Sequence, residues 1–258
     1  MLFGDFVSLL LLAGLGLDID LPAKAVALVK KAKSVFLENY TNLISKKDIA
    51  ALKKLFPGMK VLGREEVEDE KIILDALKLG DVALLVSGDP LIATTHHSLV
   101  LSAKKASHTL KIIHSSSIIS AAISESMLQT YKFGKIVTIP FQKENFNPTS
   151  PYGNMKFNLE NGLHTFILLD IDICGKGAMA PDEALEILEH WEKKLNKKII
   201  TQKTKLLILS SIGKENSKVA YGEVGQLKKM KFSNPPHCLI LPAKLHFIEE
   251  ELLEFYEV

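Results

Sequence analysis

Residues 83 to 96, ALLVSGDPLIATTH, constrain the fold more than any other stretch of the chain. The run Val82 to Val86 is apolar without alternation, the pattern of a strand covered on both faces in a helix-flanked parallel sheet. It stops at Ser87-Gly88-Asp89-Pro90. Glycine opens backbone geometry closed to other residues, and proline fixes φ and lacks a donor, so the turn has a defined shape. Asp89 then stands at the carboxyl end of a strand. In open α/β sheets ligands bind at that edge, where a carboxylate can bond hydroxyls, an amine or a cationic centre. Taken alone, the turn has a plainer reading as a helix start capped by Thr94 or Thr95.

The first half alternates strand and helix signals with short connections, which predicts a parallel sheet. Strands are expected at Val7 to Ala13, Ser34 to Glu38, Lys60 to Leu62, Val82 to Val86 and Leu110 to His114. Helices are expected at Pro22 to Lys33 with Asp20 as N-cap, Lys46 to Phe56, Lys71 to Leu79, Thr95 to Ala106 and Ile118 to Leu128. After Tyr131-Lys132-Phe133-Gly134 the pattern loosens, so two domains are expected, 1–130 and 131–258. The second half offers strands at Ile136 to Pro140, Thr165 to Leu169, Lys205 to Leu209, Val219 to Glu223 and Cys238 to Leu241, with a helix at Pro181 to Leu195. Late strands without intervening helices predict a mixed sheet with antiparallel pairs.

A chain of 258 residues, 47% apolar, can bury two moderate cores. With 32 basic and 30 acidic residues interspersed, no global field points to nucleic acid or an anionic membrane as partner. The clusters Lys30, Lys31, Lys33 and Lys228, Lys229, Lys231 read as solvated faces. Cys174 and Cys238 have neither CxxC nor metal-ligand spacing, which fits a reduced compartment without a structural disulfide. The most apolar segment, Phe6 to Leu17, is too short to span a bilayer. It follows Asp5 with no basic n-region, unlike a signal peptide, and a soluble cytoplasmic protein is expected.

Gly14-Leu15-Gly16 stands where a phosphate loop would, between a strand and a helix. The dinucleotide fingerprint requires a third small residue where this chain has Ile19, although Glu38 lies near the place of a ribose-binding acid. The other reading is a tight strand-to-helix turn. GxxxxGK[ST], HExxH and GxSxG are absent, and no carboxylate pair suggests glycosidase chemistry. His96-His97 point in different directions on a helix and do not form an i, i+4 metal pair, so no metal is expected.

Ten segments occur together in order: GLGL (Gly14 to Leu17), VFLENYTNL (Val35 to Leu43), GREEVE (Gly63 to Glu68), GDPLIATTH (Gly88 to His96), HSSSIISA (from His114), YKFGK (Tyr131 to Lys135), NPTSPY (Asn147 to Tyr152), GLHTFILLDI (Gly162 to Ile171), PPHCLILP (Pro235 to Pro242) and KLHFIEEELL (Lys244 to Leu253). With them the chain resembles the diphthine synthases of the tetrapyrrole methylase family. The GDP turn suits the whole family, whereas ATTH, YKFGK, GLHT and PPH point to the diphthine branch. The stretch after Leu17 is shorter than in the family, residues 174 to 202 match poorly, and Ser210-Ser211-Ile212-Gly213 replaces a segment that often carries arginine.

The resemblance implies a two-domain α/β fold, with an N-terminal parallel sheet flanked by helices on both faces and a C-terminal mixed sheet. It also implies a homodimer with S-adenosyl-L-methionine in a cleft between the domains. Carried over by position, the donor contacts are Leu17, Asp89, Ile92, Ser117, Ile118, Leu169, Ile212 and His237, of which His237 is also read as a buried structural histidine. The implied reaction is trimethylation of the amino group of 2-(3-amino-3-carboxypropyl)-histidine on translation elongation factor 2, releasing S-adenosyl-L-homocysteine. No general base is assigned, with Asp89, His96 and His237 as candidates. The alternatives are a tetrapyrrole methylase acting on a porphyrinoid or RNA, and a non-catalytic S-adenosylmethionine-binding module.

Overall fold

A computed structural model describes residues 7–173, 175–232 and 235–258. Asp5, Phe6 and Cys174 lie outside the described residues. The chain divides into two compact units, one ending at Ile118 and one running from Ile119 to Val258, against an expected boundary at 130/131.

The first unit contains β1 (Leu9–Gly14), α1 (Ala23–Val29), β2 (Ser34–Glu38), α2 (Lys46–Leu55), β3 (Lys60–Leu62), α3 (Arg64–Glu68), α4 (Lys71–Leu77), β4 (Val82–Val86), α5 (His97–Lys105) and β5 (Thr109–Ile113). Its five strands are all parallel, in the order β3-β2-β4-β1-β5. Leu11 and Ala13 pack with Ala25, Val29, Leu37 and Leu52 in one core, while the alternate residues Leu10 and Leu12 are equally buried. Both faces of the central strands are therefore covered, which explains why β1 and β4 carry no polar alternation.

Two expectations about helix starts are corrected. The N-cap of α1 is Pro22, not Asp20, and Pro22 takes an extended ψ of 141° while its carbonyl accepts from Ala25 and Val26. The helix expected from Thr95 begins at His97, and neither Thr94 nor Thr95 caps it. Leu91 and Ala93 take left-handed φ values of 68° and 55°, so the segment after the turn cannot continue as helix. The Thr95 hydroxyl bonds Tyr40 instead.

The second unit contains most of α6 (Ile118–Glu125), then β6 (Val137–Ile139), α7 (Ser150–Glu160), β7 (Thr165–Leu169), β8 (Ile171–Asp172), β9 (Gly177–Ala178), α8 (Pro181–Leu195), β10 (Lys205–Ser210), β11 (Lys218–Glu223), α9 (Val224–Leu227), β12 (His237–Leu241) and α10 (Phe247–Leu253). Its main sheet has the order β11-β10-β12-β7-β6, antiparallel except for the parallel β6-β7 pair. The amphipathic α8 buries Ala184, Leu185, Leu188 and Trp191 against this sheet's core and ends at Asn196 in the left-handed conformation.

A buried ionic group ties the segments of this unit together. Glu249 Oε1 stands 3.2 Å from His164 Nε2, and its Oε2 pairs with Lys132 Nζ at 2.5 Å. His164 Nδ1 accepts the Ala243 N–H at 2.9 Å, which leaves Nε2 to donate to Glu249. Burial holds the His164 imidazole below its ordinary pKa, and the donors around Glu249 hold that carboxyl at about 2. The motifs YKFGK, GLHT and KLHFIEEELL thus meet in one network.

Candidate functional site

In the first unit, three strand ends are laced into one loop cluster. Gly16 and Gly88 exchange backbone hydrogen bonds at 3.1 and 2.9 Å, and Leu15 N–H donates to the Val86 carbonyl at 2.8 Å. Leu17 N–H donates to Ser116 Oγ at 3.3 Å. A Cβ on Gly14 would lie 2.6 Å from the Gly88 carbonyl oxygen and 2.9 Å from both Pro90 Cδ and Ser115 Cβ. Only glycine allows this approach. The spacing Gly14-Leu15-Gly16 is therefore explained by packing of loop on loop, as the tight-turn reading requires.

Asp89 is the carboxylate of that cluster. It is buried at the carboxyl end of β4, and its Oδ2 accepts Ser115 N–H at 3.0 Å and faces His114 Nδ1 at 2.9 Å. These bonds fix one oxygen firmly, while Oδ1 stands at a longer 3.2 Å from the exposed His114 ring. A carboxylate oxygen has more than one acceptor direction, so Asp89 retains capacity for a ligand's hydroxyl or ammonium. Leu17, Asp89, Ile92, Ser117 and Ile118 thus belong to the loops and helix start that follow β1, β4 and β5 on one sheet edge.

Beside them lies a second polar group that sequence reasoning did not assemble. Glu38, fully buried at the end of β2, accepts from the N–H groups of Tyr40, Thr41 and Ser87 and from the Thr41 hydroxyl. Burial raises its pKa, and these donors work against that rise. Glu38 is fully buried with both oxygens bonded to loop donors, so it ties the loops after β2 and β4 together, in keeping with the incomplete dinucleotide fingerprint. Tyr40 Oη lies 3.0 Å from Thr95 Oγ1 and 3.2 Å from His96 Nε2. His96 is only 1% exposed, and burial lowers its pKa to about 4, so the ring is neutral at pH 7. The signal in the sequence was the pair of motifs VFLENYTNL and GDPLIATTH, but their contact spans more than fifty residues.

The remaining sequence-derived residues gather in the second unit. His237 begins β12 and pairs in register with Ser210 at the end of β10, with Nδ1 2.8 Å from Ser210 Oγ. Ser211 N–H donates to the Pro236 carbonyl at 3.0 Å, which holds the turn carrying the buried Ile212 against the start of β12. Leu169 ends β7 one residue beyond the Leu168–Cys238 pair, so it shares this sheet edge. Burial lowers the His237 pKa to about 4. The eight residues therefore form two constellations, five on the first unit's edge and three on the second's.

The residues present fit a sulfonium nucleoside. The first unit supplies an anchored carboxylate, Asp89, for a hydroxyl or ammonium, and the second unit, by itself, presents the apolar Leu169 and Ile212 at its own sheet edge, side chains that suit a flat, weakly polar base. Among the described residues, no three His, Cys, Asp or Glu side chains are grouped to hold a metal ion. No helix among them is long and apolar enough to cross a membrane.

Comparison with known proteins bears on this arrangement. The sequence profile of the Tetrapyrrole (Corrin/Porphyrin) Methylases matches residues 10–228. A curated diphthine synthase of Methanothermobacter thermautotrophicus is 41% identical over 249 residues, covering 95% of this chain and 94% of that protein. One from Methanocaldococcus jannaschii is 39% identical over 255 residues, covering 96% and 98%. A crystal structure described as diphthine synthase superposes with a TM-score of 0.85 at 29% identity, covering 97% of this chain and 96% of the other.

Proposed function

The chain belongs to the tetrapyrrole methylase family and to its diphthine synthases, S-adenosylmethionine-dependent methyltransferases of diphthamide biosynthesis, and from that premise we propose the reaction and the residues that serve it. The acceptor is the amino group of 2-(3-amino-3-carboxypropyl)-histidine on translation elongation factor 2, which is methylated three times. The observation that carries this reading is the cradle around Asp89, where three strand ends close on a buried carboxylate in a chain 41% identical to a diphthine synthase.

S-adenosyl-L-methionine, when bound, supplies an electrophilic methyl: the amine lone pair forms the N–C bond while the C–S pair leaves with sulfur as S-adenosyl-L-homocysteine. A donor so reactive needs neither a protein nucleophile nor a metal, and the work left to the chain is alignment. Asp89 accepts from the donor's hydroxyls or ammonium, and the backbone at Ser117 and Ile118 and the side chains of Leu17 and Ile92 complete the first unit's share. Leu169, Ile212 and His237 supply the second unit's share. The amine must be neutral at attack, and it loses a proton after the first and second transfers. Burial keeps His96 and His237 unprotonated at pH 7, so each is able to accept a hydrogen bond.

The same reading carries a cytoplasmic setting and a homodimer. Cys238, a buried free thiol whose pKa burial raises, is consistent with a reduced compartment. Mass spectrometry of modified elongation factor 2 incubated with enzyme and donor is expected to show three successive one-methyl increments. No increment overturns the assignment, and a fourth methyl on the carboxylate assigns a different product. Native mass spectrometry reads the oligomeric state directly.

A further inference from the structure

Asp89 and His114 meet across the end of a strand that finishes in glycine. Asp89 follows β4 and His114 follows β5, and in the sheet order β4-β1-β5 the end of β1 lies between them. At that end a Cβ on Gly14 would crowd the Gly88 carbonyl, Pro90 and Ser115 at once, so the two loops close over β1 only while position 14 is glycine. Asp89 then reaches across. Its Oδ2 accepts the Ser115 N–H at 3.0 Å, and His114 Nδ1 stands 2.9 Å from Oδ2 and 3.2 Å from Oδ1.

A carboxylate only accepts, so Nδ1 carries the ring proton and donates it, which leaves the lone pair of the neutral imidazole on Nε2. The two partners differ sharply in exposure. The Asp89 side chain is 10% exposed and that of His114 is 75% exposed, and among the described residues Nε2 has no hydrogen-bond partner. A contact to so exposed a ring adds little to stability, whereas an imidazole oriented by a buried carboxylate, with its far nitrogen open, is the arrangement of a poised base. The histidines singled out from the sequence lack that freedom. His96 is buried with Nε2 against the Tyr40 hydroxyl, and His237 is buried with Nδ1 against Ser210.

Resting on the methyltransferase reading, we propose that His114 is the general base of the reaction and that Asp89 orients it, with Nε2 taking a proton from the acceptor's ammonium group before each methyl transfer. The electron pair of the broken N–H bond becomes the lone pair that forms the N–C bond, and the C–S pair departs with sulfur. The proton on Nε2 passes to water, which the exposed ring meets directly. Repeated methylation needs that reset before each round, because the methylated nitrogen is again cationic and holds a proton until the third methyl is on. His114 lies three residues before Ser117 and bonds Asp89, both read as donor contacts, so the base stands beside the first unit's share of the donor seat.

The test measures single-turnover methylation of modified elongation factor 2 by the full chain, with S-adenosylhomocysteine calorimetry and thermal unfolding beside the kinetics. His114→Asn is the informative variant, because its amide nitrogen takes the place of Nδ1 and keeps the bond to Asp89 while nothing stands where Nε2 was. Its single-turnover rate is expected to fall about 100-fold, with the S-adenosylhomocysteine Kd unchanged within about twofold and the melting temperature held. His114→Ala is expected to lose as much, and free imidazole in the buffer is expected to restore its rate about tenfold. An active wild type whose His114→Asn variant keeps its rate overturns the base and leaves the methyltransferase reading standing. A slower variant with weakened product binding or a lower melting temperature, unrescued by imidazole, also overturns it, since His114 then only supports Asp89. A wild type that transfers no methyl removes the functional reading itself, and the base with it.

Discussion

The Oε1 atom of Glu38 accepts the amide N–H of Ser87 at 3.2 Å, joining the last residue of β2 to the first residue after β4. The same carboxylate holds Tyr40 and Thr41, so one buried acid sets the geometry of both loops beside Asp89. Glu38→Ala leaves three backbone donors without a partner and is expected to cost at least about 2 kcal/mol of stability in urea unfolding. The pH dependence has a definite sign. Burial raises the folded pKa of Glu38 above its ordinary 4.5, so the folded state holds the proton more tightly and this group's contribution falls as pH rises from 4.5 through the raised value. Glu38→Gln should remove that slope.

Asp89→Asn keeps a carbonyl oxygen for the Ser115 N–H but loses the charge. Hydrogen bonds to a charged partner are worth about 1.5–3 kcal/mol, so S-adenosylhomocysteine is expected to bind about 10- to 100-fold more weakly in calorimetry. An unchanged Kd would show that Asp89 serves only the loop.

Gly14→Ala places a methyl 2.6 Å from the Gly88 backbone carbonyl and 2.9 Å from Ser115 Cβ, which is fixed directly to its own backbone. Neither is a flexible side-chain end. The expected outcome is a loss of about 1–3 kcal/mol with weakened S-adenosylhomocysteine binding, measured by denaturant unfolding and calorimetry.

The Lys132–Glu249–His164 group predicts acid sensitivity. The folded pKa of His164 lies below its ordinary 6.5, so its contribution is lost as pH falls below 6.5. Glu249, held at about 2 against an ordinary 4.5, adds a second loss as pH falls from 4.5 toward 2. Both act in the same direction. Glu249→Gln uncouples the half-buried Lys132 and the buried His164 and is expected to cost about 3 kcal/mol while flattening the acid limb of the stability curve. Unfolding curves from pH 2 to pH 7 would measure both effects.

Much of the fold was readable before the structure. β2, β3, β4 and α8 lie where their apolar runs and caps placed them, and the parallel first sheet and the mixed second sheet follow the alternation of strands and helices. α7 went unread because its sequence, SPYGNMKFNLE, carries little apolar periodicity although Tyr152, Met155 and Asn158 are buried. α10 was hidden by its acids, one of which, Glu249, turns inward to meet Lys132 and His164.

Local order in this chain sufficed to determine strands, turns and the position of Asp89, since a strand's period and a Gly-Asp-Pro turn act over a few residues. Tertiary structure alone decided that Tyr40 meets His96 across 56 positions and that Arg64 lies over the same ring. Such pairings are set by how β2, β4 and α3 pack in the sheet layer, and packing joins residues by distance in space, which no window of sequence records.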